Sequence, residues 1–165
     1  MVVWEHNSHI GDARATAMGG MGEWSIGQLS RERFGSDAVL VGFSTYQGTV
    51  TAASDWDAAA ERKRVRPALP GSFEALFHGA GQRNFLLTMR HDSRLEESLS
   101  ERRLERAIGV IYHPETERVN HYFEARLPEQ FDAVIHIDET RAVEPLDRMA
   151  GWDDGEPPET FPTGL

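Results

Sequence analysis

A chain of 165 residues with a formal net charge of −10 is long enough for one domain and poorly suited to binding nucleic acid, which draws on clustered positive charge. Apolar residues make up 39% and charged residues 27%, and the chain has neither the roughly 18-residue apolar run of a membrane span nor a basic-then-apolar signal peptide. The lack of cysteine excludes disulfides, thiolate metal sites and cysteine nucleophiles, and fits a cytoplasmic protein. The apolar run Val2 to Trp4 reads as a strand covered on both faces, as in a parallel sheet, and it empties into the polar stretch EHNSHIGDAR. The segment Met18 to Gly22 is glycine-rich and reads as a flexible loop beside whatever that stretch binds.

Ser25 then offers a helix cap, Gln28 follows three residues later as in a capping box, and Gly35 supplies the stop after Phe34. Ala38 to Thr45 is the strongest strand pattern of the chain, so strand, helix, strand is the natural opening unit. Tyr46, Gln47 and Gly48 suggest a turn into a second β-prone run, Thr49 to Ala52, and hence a hairpin extension. The basic run Arg62, Lys63, Arg64 with Arg66 is offset by Asp55, Asp57 and Glu61 and reads as a solvated strand or loop face. Pro67 and Pro70 bracket a loop, and Ser72 opens a short helix with Phe73, Leu76 and Phe77 at helical spacing.

Asn84 to Met89 reads as a buried strand, and His91 to Arg106 as an exposed helix or a loop. The apolar run Ala107 to Tyr112 ends where Pro114 enforces a turn. Ala133 to Ile137 is the last clear strand. The expected fold is α/β: a partial layered domain with a mainly parallel sheet flanked by helices, plus the β-hairpin extension, over residues 1–146. Residues 147–165 are acidic, rich in Pro and Gly and poor in aliphatics, and read as a disordered tail.

The chemistry concentrates in Glu5, His6, Asn7, His9, Asp12 and Arg14, just past the first expected strand, where open α/β sheets place their sites. A histidine there can act as general acid or base, with a neighbouring carboxylate holding its tautomer. The same groups equally suit a polar loop that satisfies backbone atoms at a sheet edge. A zinc or iron site built on His6, His9, Glu5 and Asp12 is a rival reading, although the H-x-x-H spacing lacks an identifiable third ligand. The remaining histidines read as structural, His91 being the best placed of them. Tyr46 sits at the end of its strand with a hydroxyl available to a substrate, and Ser8 and Ser44 lack the G-x-S-x-G turn of a serine hydrolase.

The motifs W-E-H-N-S-H-I-G-D-A-R-A-T, G-E-W-S-I-G-Q-L, L-V-G-F-S-T-Y-Q-G-T-V-T-A-A, R-P-A-L-P-G-S-F-E, E-R-A-I-G-V-I-Y-H-P-E-T-E-R and H-Y-F-E-A-R-L-P-E-Q-F-D-A-V-I-H-I-D occur in one order over about residues 2–146. Together they resemble the erythromycin esterase family. The resemblance implies a hydrolase acting on carboxylic esters, macrolide lactones among them, and so a part in macrolide resistance. It implies a histidine-activated water, with no metal and no cofactor. It covers the C-terminal part of the family domain, so the general base and a key glutamate of the family lie outside it. An active-site histidine of the family maps onto His9 or His6, with Glu5, Asn7, Asp12, Arg14 and Tyr46 as substrate contacts. The implied partners are a small ester or lactone and the upstream half of the domain, with no nucleic acid and no membrane. Alone, the chain is expected to be a partial and inactive hydrolase; the alternatives are a non-catalytic, partner-dependent subunit and a metal-binding protein.

Overall fold

A computed structural model describes residues 1–144; the expected tail, 147–165, lies outside the described residues. The helices are α1 (Asn7–Ile10), α2 (Ala17–Gly20), α3 (Ile26–Phe34), α4 (Phe73–Gly79), α5 (Ser93–Ser98), α6 (Glu117–Asn120) and α7 (Leu127–Gln130). The strands are β1 (Val41–Ala52), β2 (Glu61–Val65), β3 (Asn84–Thr88), β4 (Arg103–Arg106), β5 (Tyr122–Ala125) and β6 (Ala133–Thr140). A four-stranded sheet has the order β2-β1-β6-β3, and β4 and β5 form a separate antiparallel pair.

The sheet is mainly antiparallel, which corrects the expectation of a mainly parallel one. Only β1 and β6 run parallel, while β1 pairs antiparallel with β2 and β6 antiparallel with β3. Apolar runs such as Ala133 to Ile137 report burial, and burial does not fix strand direction.

Val2 to Trp4 forms no strand: Val2 is 90% and Trp4 79% exposed, and the Trp4 ring lies 5.4 Å from that of Phe43. The expected turn at Tyr46 to Gly48 is also absent, because β1 runs straight through it. Gly48 is needed instead for a close approach: its φ is 128°, and a Cβ there would lie 2.1 Å from the Thr140 carbonyl. The hairpin partner of Gly48 to Ala52 is β2, the basic run itself. The glycine-rich segment is a helical turn capped by Thr16, with Gly19 pressed against the Ala13 carbonyl.

Helix α3 begins and ends where its local signals say. Ser25 Oγ accepts the Gln28 N–H, and Gly35, at φ 54°, stops the helix. Ser25 does more than cap: its Oγ also accepts the Ala13 N–H and donates to the Gly11 carbonyl, tying α3 to the segment after α1. Gln28 does not return to the cap but donates to Glu32.

One sheet face carries Gly42 and Val134 and is covered by Phe73 and Phe77 of α4 with Phe131, Met89 and Leu40. Gly42 leaves room for the Phe131 ring. The opposite face carries Phe43, Ile135 and Leu86 in register, and Phe43 is 39% and Leu86 63% exposed. β3 is accordingly a half-covered edge strand rather than a buried one, with exposed and half-buried residues alternating.

Candidate active site

His6 is the N-cap of α1. Its Nδ1 accepts from the Ser8 backbone N–H at 3.3 Å and lies 2.8 Å from Ser8 Oγ, while Nε2 lies 2.9 Å from the Ile108 carbonyl. An acceptor at Nδ1 puts the proton on Nε2, which donates to Ile108. Burial lowers the His6 pKa, with the nearby His9 adding and the Ile108 bond opposing. The ring is therefore neutral at neutral pH, as its acceptor role requires. His9 lies on the exposed side of the same turn, its ring edge-on to His6 with centroids 6.2 Å apart.

Asn7 fixes this turn to the sheet. Its Nδ2 donates to the Phe43 carbonyl at 2.6 Å and its Oδ1 accepts the Phe43 N–H at 3.0 Å. A side-chain amide thus serves the edge of β1 where β2 does not reach.

Asp12 and Arg14 turn elsewhere. Arg14 grips Asp12 through Nε at 2.9 Å and a terminal nitrogen at 2.6 Å, and Arg31 of α3 lies 3.6 Å from the same carboxylate. Burial works to raise the Asp12 pKa, but the bonds from Arg14 and the Arg31 charge outweigh it and hold it below the ordinary value. Among the described residues, no group of three or more His, Asp or Glu is placed to hold a metal ion, and Asp12 is committed to arginine.

A cavity of about 1210 Å³ opens along the uncovered sheet face and around the β1 edge. Glu5, His6 and Asn7 line it; His9, Asp12, Arg14 and Tyr46 are not on its lining. Two further lining residues escaped the sequence reading. Glu74 of α4 is buried, its Oε1 accepting the Arg106 N–H at 3.0 Å and its Oε2 without a hydrogen-bond partner among the described residues. Burial raises its pKa, against the opposing Arg106 contacts. Arg106 donates to the Thr45 and Tyr46 carbonyls at 2.6 and 2.7 Å and pairs with Glu117 at 2.9 Å. Only their shared place on the cavity singles them out, and that comes from topology, since Glu74 and Arg106 lie on α4 and β4.

Tyr46 stacks on His78 at 3.7 Å, and His78 Nδ1 lies 2.7 Å from Asp138 Oδ1. The same carboxylate meets His136, whose other nitrogen faces Ser44. The alternation of His136 and Asp138 within an apolar strand was the available signal for this second cluster.

These features define a mixed α/β domain with a histidine turn at the rim of an open sheet face. A family model described as erythromycin esterase matches residues 1–140, and the chain belongs to that family. Among solved structures it is similar to a succinoglycan biosynthesis protein, with 27% identity and a TM-score of 0.67 over 84% of this chain and 33% of that one. A Bacillus cereus protein shares the fold, with 20% identity and a TM-score of 0.69 over the same shares. The chain thus spans about a third of the length of these solved relatives. No helix among the described residues is long and apolar enough to cross a membrane.

Proposed function

We propose that this chain supplies the histidine turn of an ester-hydrolysing site, acting on lactones or other carboxylic esters through a histidine-activated water. The observation that supports this most is the division of labour between the two histidines. Both ring nitrogens of His6 are spent on Ser8 and Ile108, so His6 positions the turn. His9 stands at the exposed end of α1 with its imidazole open to solvent, and we assign it the proton transfer or oxyanion contact. Glu5, exposed and on the cavity lining, is the remaining substrate contact we assign, while Arg14 is committed to Asp12. Asn7 and Asp12 hold the frame, and Tyr46 belongs with His78.

The family's base and glutamate have no counterpart assigned in these residues, so turnover requires groups from outside them. We assign the face carrying Phe43, Ile135 and Leu86 to the rest of a family domain, the roughly two-thirds of the solved relatives that this chain does not match. A non-catalytic, partner-dependent subunit is the second reading, favoured by the same apolar face.

The test is lactone and aryl-ester hydrolysis by the chain alone, and by the chain co-expressed with the part of the Bacillus cereus relative that it does not match. The first reading predicts turnover only in the complex, lost in His9→Ala. A stable complex with no turnover supports the second reading, and full turnover by the chain alone contradicts both.

A further inference from the structure

Ser44 has a partner set that no sequence motif announced. Its Oγ lies 2.9 Å from His136 Nδ1, and His136 Nε2 lies 3.5 Å from Asp138 Oδ1. The three residues stand on the parallel pair β1 and β6, where Ser44 and His136 are directly in register, so the sheet itself sets their spacing. With its Nε2 facing the carboxylate, His136 carries its proton there, and Nδ1 is left to accept from the Ser44 hydroxyl.

His136 has 0% exposure and is held by the rings of Phe77 and Phe85, with centroids 5.4 and 5.1 Å away. Its burial lowers its pKa despite the Asp138 contacts, which keeps the imidazole neutral and able to take a proton. Asp138 is further fixed by His78 at 2.7 Å.

We propose that Ser44, His136 and Asp138 form an acylation site in this chain, taking activated carboxylic esters and organophosphorus electrophiles that enter the cavity Ser44 lines. The relation is that of nucleophile, base and orienting carboxylate, with the two ring nitrogens exchanging their usual roles. In the step, Ser44 Oγ attacks the carbonyl carbon while its proton passes to His136 Nδ1, and the carbonyl electron pair moves onto oxygen. Collapse expels the alkoxide, which takes the proton back from His136, and leaves an acyl-serine.

The site does not rest on the reading of His9, and the probe is chosen accordingly. A fluorophosphonate is incubated with the purified chain, and intact mass and peptide mapping follow the adduct; the P–F bond breaks, fluoride leaves and an Oγ–P bond forms. The expected result is one adduct on Ser44, absent in Ser44→Ala and formed at least about 100-fold more slowly in His136→Gln. Asp138→Asn, which retains the buried histidine, is the second variant and slows labelling as well. His9→Ala leaves labelling unchanged, which separates this site from the histidine turn. No adduct on the folded chain, an adduct elsewhere, or wild-type rates in both His136→Gln and Asp138→Asn would overturn the proposal.

Discussion

The side chain of Asn7 and the backbone of Phe43 exchange two hydrogen bonds, 2.6 and 3.0 Å long, so that one amide imitates a stretch of neighbouring strand. The pair is what carries the histidine turn on the sheet edge. Asn7→Ala removes both bonds at a solvent-accessible position and is expected to cost about 1 kcal/mol. Hydrogen exchange at the Phe43 amide checks the assignment: protection falls in the variant, and unchanged protection would show that Asn7 does not hold that edge.

Gly27 sets the distance between the histidine turn and α3. A Cβ at this position would lie 2.0 Å from the Ile10 carbonyl, which is backbone and has no rotamer with which to retreat. Gly27→Ala is therefore expected to cost about 3 kcal/mol through overpacking, where an exposed helical glycine would gain from the same change. Thermal unfolding measures it, with Gly20→Ala as the comparison because nothing lies within 4 Å of its Cβ position.

Glu105, like its neighbour Glu74, makes stability fall as pH rises. It is buried, its Oε2 has no hydrogen-bond partner among the described residues, and burial raises its pKa well above 4.5, with the charge of Glu74 adding. A group whose folded pKa is raised contributes fully below its unfolded value and loses that contribution as pH rises through the folded value. His6, His121 and His136 work in the opposite sense: burial lowers each from 6.5, so stability is lost as pH falls below that value. Comparing Glu105→Gln with wild type at each pH cancels the histidines. The variant's advantage in melting temperature is expected to grow from about pH 4 to about pH 8; a constant difference would show that Glu105 does not titrate in that range.

The uncovered face predicts association. Phe43 and Leu86 are exposed beside one another across β6, through Ile135, with Trp4 against the Phe43 ring. Leu86→Lys places a charge on that face without touching the α4 side, and is expected to reduce concentration-dependent association and dye binding. Light scattering across a dilution series reads the effect, and identical profiles for both proteins would remove the face as the cause.

What the sequence carried was local. Ser25 and Gly35 bound α3 because a cap and a stop act within a few residues. His136 looked structural and Gly48 looked like a turn because their reasons, Ser44 and the Thr140 carbonyl, lie 92 residues away on another strand. β4 and β5 were missed because RLER and YFEA owe their strand form to each other rather than to an apolar pattern. The histidine turn was legible as a cluster, yet the roles of its members depended on Ile108 and Phe43, 102 and 36 residues distant. The sheet direction was lost for the same reason, since an apolar run states that a strand is covered and leaves its partner open.

The account rests on a histidine turn that these residues contribute and the rest of a family domain completes. The most direct measurement is lactone turnover by the chain co-expressed with the part of the Bacillus cereus relative that it does not match, set against the chain alone and against His9→Ala in the complex. The prediction is turnover in the complex alone, reduced at least about 100-fold by His9→Ala. Full turnover by the isolated chain, or a complex as active without His9 as with it, would contradict it.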